Sequence, residues 1–217
     1  MSSTPGEIAI FLEAGTRRVF ASALDWPGWA RGGKTAELAV EALASYLPRY
    51  EPVARAAGLP PPAGDLVIAE RHDGVAKNAN FGSLGEIAPS ERRPLTAADG
   101  ARLAALLEAA WAAFDAGAAA APEQLRKGPR GGGRDTSQII GHVSGVERMY
   151  ARKIGLARDK AAESGPDAAA LLQASIAAAL RAPAGLQTPA GGWPLRCAAR
   201  RIGWHVLDHL WEIEDKS

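Results

Sequence analysis

The chain contains four histidines, His72, His142, His205 and His209, and the last two stand four residues apart. On a helix that spacing puts both imidazoles on one face about one turn apart, within reach of a single metal ion. Four histidines scattered at random in a chain this long would give such a pair roughly one time in 20. His142 lies among Ile140, Val143 and Val146 of another helical pattern, from which it could project into a bundle interior where facing helices build metal sites together. Three neutral imidazoles leave one coordination position open, and an open position distinguishes a catalytic zinc-type site from a structural one. The alternative is three ordinary helix histidines, half-buried and without a metal.

Asp208 and Glu212 follow His205 at three and seven residues, on nearly the same helical stripe. Either could accept the second ring N–H of a ligating imidazole or handle a proton from a metal-bound water, and these two are the candidate catalytic carboxylates. The other reading makes Asp208, Glu212, Glu214 and Asp215 a solvated acidic face opposing Arg200 and Arg201. Glu147, five residues after His142, points roughly 140° away from it around an ideal helix and is a poor co-ligand. His72, between Arg71 and Asp73, reads as a surface histidine. The pair itself reads His205-Val206-Leu207-Asp208-His209, without the glutamate that zinc peptidases place directly after the first histidine, which disfavours peptidase chemistry.

The run from Arg126 to Arg134 is basic, glycine-rich and without the Gly-Lys-Ser/Thr ending of a nucleotide loop. It reads as an interhelix loop whose Arg126, Arg130 and Arg134 could steer an anionic small-molecule substrate. Cys197 reads as a packed core cysteine. The aromatic group Trp26, Trp29, Tyr46 and Tyr50 closes the core of the first segment or its contact with the helices.

The elements that must carry these residues fall into two parts. From Glu7 to Leu24 the alternation of Ile8, Ile10 and Leu12, a turn at Ala14-Gly15-Thr16, then Val19 and Phe20 predict a β-hairpin. Thr35 to Tyr46 has helical spacing and would cover the hairpin, with Pro48 and Pro52 bending or ending it. Asp65 to Glu70 predicts a third strand. The fold class is α+β: a β-β-α-β module over residues 1–75, a linker over 76–94, and four alanine-rich amphipathic helices over 95–217. Those helices open near Thr96, Asp135, Pro166-Asp167 and Pro194 and can bury their apolar stripes only against one another, as a four-helix bundle.

With 217 residues, a net charge of +1, 47% hydrophobic and 23% charged content, the composition is that of a globular protein and excludes collagen-like, coiled-coil and disordered classes. The near-neutral charge gives no reason to expect a nucleic-acid or membrane partner. A single cysteine and the absence of a basic, apolar leader predict a cytoplasmic protein. A homodimer through the helical faces is compatible with these patterns.

Residues 90 to 217 resemble the DinB-like superfamily of metal-binding four-helix bundles. The resemblance is carried by Thr136-Ser137-Gln138-Ile139-Ile140-Gly141-His142-Val143, with Glu147-Arg148 following, and by Arg200-Arg201-Ile202-Gly203-Trp204-His205-Val206-Leu207-Asp208-His209-Leu210-Trp211-Glu212. It implies a divalent metal, commonly zinc or nickel, on His142, His205 and His209. The activities it implies are those of thiol-dependent transferases and of the mycothiol-dependent maleylpyruvate isomerase, with a low-molecular-weight thiol as cosubstrate; an ion that activates water instead would make a hydrolase. Residues 7 to 70 are similar to HicB-like modules in strand order and in Asp25-Trp26-Pro27-Gly28 followed by Gly32-Gly33-Lys34-Thr35. Antitoxin members of that group often carry a DNA-binding segment not seen here. The alternative function is therefore a non-catalytic metal-binding or regulatory protein that uses the HicB-like module to recognise a partner.

Overall fold

The computed structural model describes residues 6–129, 131–156, 165, 167–182 and 188–217. Among them the chain is mixed α+β. Strands β1 (Glu7–Ala14) and β2 (Val19–Ala23) form the expected antiparallel hairpin, with Ile10 opposite Ala23 and Ala14 opposite Val19. β4 (Asp65–Arg71) returns parallel to β1, with a bulge between Ile10 and Phe11. The strand order is β3-β2-β1-β4, and β3 (Ala30–Gly33) has no counterpart in the sequence reading. Its Ala-Arg-Gly-Gly sequence carries no β-branched residue and looks like a loop. Tertiary packing makes the strand: a Cβ on Gly33 would stand 2.4 Å from the backbone nitrogen of Ala39, so only glycine lets the next helix lie this close.

That helix, α1 (Ala36–Ser45), starts at Thr35, whose hydroxyl accepts from the Leu38 backbone N–H. Pro48 does not simply end it. Tyr46 serves as the C-cap of α1 and the N-cap of α2 (Leu47–Ala56), with Pro48 in the first turn of α2, where a missing N–H costs no hydrogen bond. The residues between β4 and the long helices are packed too: two 3-10 turns, Lys77–Phe81 and Pro89–Arg92, help bury Ala76, Ala79, Leu84 and Ala88.

The four expected helices are present as α3 (Ala97–Ala120), α4 (Thr136–Lys153), α5 (Ala168–Arg181) and α6 (Leu195–Lys216). Their starts follow from local chemistry. Thr96 accepts from the Asp99 N–H, and the Gln138 side chain reaches back to the Asp135 N–H. α3 packs on α5 and α6, and α4 on α6 and α5. By length and apolar composition α3 could cross a membrane, but its Leu103, Leu106, Leu107, Trp111 and Phe114 are buried inside this fold.

α6 is the centre of the molecule. From Cys197 to Leu207 every residue is buried, so the helix is enclosed on all sides. One contact that allows this is at Gly203, where a Cβ would meet the Gly28 nitrogen at 2.9 Å, so the Trp26-Pro27-Gly28 turn rests directly on the helix backbone. Trp204 meets Phe20 of the sheet edge-on at 6.0 Å, and Tyr46 meets Trp211 at 5.0 Å. Trp29 stacks on Tyr50, whose hydroxyl donates to the Pro27 carbonyl. The apolar core runs without interruption from Ile8 of β1 to Ile213 of α6, and the aromatic group joins the two parts of the chain.

The acidic end of α6 is solvent-facing at Glu214 and Asp215, as one reading of the sequence had it, but those residues pair with Arg49 and do not oppose Arg200 and Arg201, which are buried. Arg200 donates from Nε and Nη2 to the Glu91 carboxylate at 2.6 and 3.0 Å, from Nη1 to Glu13 at 3.3 Å and from Nη2 to the Glu86 carbonyl at 2.7 Å. Glu13, fully buried on β1, also accepts from the Gly85 N–H at 2.8 Å. This cluster fastens β1 and the 76–94 segment to α6, and its geometry, with every participant bonded, is what makes a buried guanidinium tolerable.

Candidate metal centre

The helical stripe of α6 and the opening turns of α4 bring His142, His205 and His209 together. One ring nitrogen from each lies within 4.8 Å of the others. The Nε2 atoms of His142 and His205 are 3.2 Å apart, and the ring centroids of the three pairs lie 4.7–5.1 Å apart. Two imidazole ligands at about 2.0–2.1 Å from a tetrahedral zinc would have nitrogens about 3.3 Å apart, so this pair has the separation that shared ligation requires. His72 is not part of the group; its Nε2 lies 3.6 Å from Glu86.

Electrostatics favour the neutral, ligating form. Burial pushes His205 down to about 3, with the neighbouring His209 and His142 acting in the same direction. Burial, then the Arg134 charge and His209, hold His142 below its ordinary value against the opposing pull of Glu212. Neutral imidazole is the state a divalent ion needs. His205 Nδ1 is buried without a hydrogen-bond partner among the described residues. If His205 ligates through Nε2, Nδ1 carries the ring proton and stays a buried donor without an acceptor, so the orientation of this ring is set by packing and not by a carboxylate as at His209.

The two candidate carboxylates separate. Glu212 Oε2 lies 2.8 Å from His209 Nδ1, and Lys216 donates to its other oxygen. Burial works against its charge, but the Lys216 and His209 bonds outweigh that and hold Glu212 below its usual value. Glu212 therefore fixes the His209 tautomer, leaving the Nε2 lone pair for a ligand. Asp208 turns instead to β3, where it accepts from Arg31 Nη1 at 2.7 Å, and Arg31 lies over the Tyr46 ring at 3.8 Å.

The three loop arginines also divide. Arg134 lies close enough for its charge to act on His142 and His205. Arg126 is bound to the end of α6, where its Nη2 donates to the Asp215 carbonyl at 2.7 Å. Arg130 lies outside the described residues. Glu147 takes no part in the histidine group, in keeping with its angle on the helix. It is buried between helices, accepts from Trp111 Nε1 and from Gln173 Nε2 at 3.4 Å, and is pushed up to about 7 by burial.

Sequence reasoning missed one neighbour of the site. Arg201, one helical turn before His205, is only 7% exposed. Its guanidinium lies 4.2 Å from the Trp193 ring and 5.4 Å from the Tyr150 ring, and Tyr150 meets the His205 ring edge-on at 5.9 Å. The i, i+4 relation to His205 was the available signal. Compared with protein-family profiles, with curated proteins and with solved structures, the chain matches none.

Proposed function

We propose that the chain is a metal-dependent enzyme of the DinB-like type, with α3 to α6 as its four-helix bundle and one divalent ion, zinc or nickel, on His142, His205 and His209. The observation that supports this reading best is the approach of three imidazoles from two helices, two of them with Nε2 atoms 3.2 Å apart, with neutral rings favoured by burial. Such an ion would supply Lewis acidity and lower the pKa of a coordinated water or low-molecular-weight thiol toward neutrality. The chain itself would orient the ligands through Glu212 on His209 Nδ1, keep Glu212 charged through Lys216, and repel protons from the rings through Arg134. With three nitrogen donors and no carboxylate in the ligand group, a coordination position is left for the reacting molecule. The reaction class is thiol transfer, isomerisation or hydrolysis on a small molecule.

The test is metal content of the purified full-length protein, with Co²⁺ substitution to report the donor set spectroscopically. Wild type should hold one ion per chain with a nitrogen-rich spectrum, and His205→Ala should lose it. Equal metal content in wild type and His205→Ala would overturn the site.

A further inference from the structure

Two adjacent arginines of α6 are both buried and have opposite surroundings. Arg200 has hydrogen bonds to Glu91, Glu13 and a backbone carbonyl. Arg201 is 7% exposed, yet among the described residues its guanidinium has no carboxylate, carbonyl or hydroxyl partner, and its Nε is a buried donor without an acceptor. It is held by faces rather than by bonds, against Trp193 at 4.2 Å and Tyr150 at 5.4 Å. Aromatic contact fixes the plane of a guanidinium but leaves its in-plane donors unanswered. Only Nε is fully sealed, so the terminal Nη donors hold the little solvent access this residue keeps and have no protein acceptor among the described residues, whereas the same helix answers the Arg200 donors with protein acceptors.

Position supplies the rest. Arg201 and His205 are four apart on α6, about 6 Å along the helix axis, and share the Tyr150 ring as a neighbour. Planar, paired N–H donors match the two oxygens of a carboxylate or a phosphate. We propose that Arg201 anchors an oxyanion group, carboxylate or phosphate, of the small molecule on which the three-histidine site acts. This inference rests on the metal-site reading for the word substrate, but not for the binding itself. An anion bound at Arg201 would sit about one helical turn from His205, so the molecule would present its reacting atom to the open coordination position while its charged end is held. Tyr150, which neighbours both Arg201 and His205, would flank a ligand spanning the two, favouring a compact, partly apolar linker in it.

The experiment is calorimetric titration of the full-length protein, metal-loaded and metal-free, with succinate and separately with inorganic phosphate. Wild type should bind at least one of them, and which one identifies the oxyanion. Arg201→Gln should weaken that binding tenfold or more at unchanged metal content, while Arg201→Lys, which keeps the charge but not the fork, should recover part of it. Far-UV circular dichroism establishes that each variant folds, and Arg201→Met without ligand should be no less stable to urea than wild type. Equal affinity in wild type and Arg201→Gln, or no binding of either anion by wild type, overturns the proposal. So does a large loss of stability in Arg201→Met, which would make the residue structural. Arg201-dependent anion binding in a protein that holds no metal would leave this inference standing and remove the metal reading.

Discussion

Glu147 offers a test in which one atom is exchanged and the fold is asked to respond to pH. Its carboxyl is 1% exposed, accepts from Trp111 and Gln173, and has a pKa raised from 4.5 to about 7, chiefly by burial. A carboxyl whose folded pKa lies above its unfolded value keeps its proton in the native state when the unfolded chain has lost it. The stability it confers is fully present below about pH 4.5 and is lost as pH rises through about 7. At about 1.4 kcal/mol per unit, the whole interval amounts to about 3 kcal/mol, and the part between about pH 5 and about pH 8.5 to about 2.5 kcal/mol. Glu147→Gln keeps an acceptor for the Trp111 N–H and cannot titrate. The variant should therefore gain on wild type as pH rises toward about 7 and level off above it, by about 2.5 kcal/mol over that range. Urea unfolding at several pH values measures this directly. With a slope of about 2.5 kcal/mol per molar urea, the midpoint difference should change by about 1 M across the series. Histidines that titrate in the same range are common to both proteins and cancel in the difference. Midpoints that stay parallel from acid to alkaline pH would refute the assignment of a protonated buried carboxyl.

Arg200→Met should lower stability by about 3–5 kcal/mol, because Glu13 and Glu91 would remain buried without their counter-charge; a loss below 1 kcal/mol in urea unfolding would mean that the cluster contributes little. Glu212→Gln should weaken metal binding about 10- to 100-fold in a competition titration with a chelating dye, since the carboxylate no longer holds His209 as an oriented acceptor; an unchanged affinity would sever Glu212 from the site. Cys197 should resist a thiol reagent in native protein at about pH 8 and react at once in denaturant, because burial first, then the Glu91 charge, pushes the thiol up to about 12. Rapid labelling of the folded protein would contradict that environment.

What the sequence determined by itself was local, though not all of it, since α2 runs through the prolines that read as the bend or end of α1. Hydrophobic period and capping chemistry located the hairpin, the strand at Asp65 and four long helices, because those signals act within one or two turns. The i, i+4 pair on α6 was legible for the same reason, since helix geometry alone places His205 beside His209. Only tertiary structure could decide what lies opposite. β3 exists because Gly33 lets α1 approach, and no local preference of Ala-Arg-Gly-Gly encodes that. The acidic residues of α6 looked equivalent along the stripe. Packing sends Asp208 to Arg31 of a distant strand and Glu212 to His209, because different sides of this half-exposed end of the helix face different neighbours. The buried states of Arg200, Arg201 and Glu147 were invisible for a further reason: a charged residue type argues for exposure until the surrounding fold removes water from it, and that removal is a property of the assembled core, not of any segment.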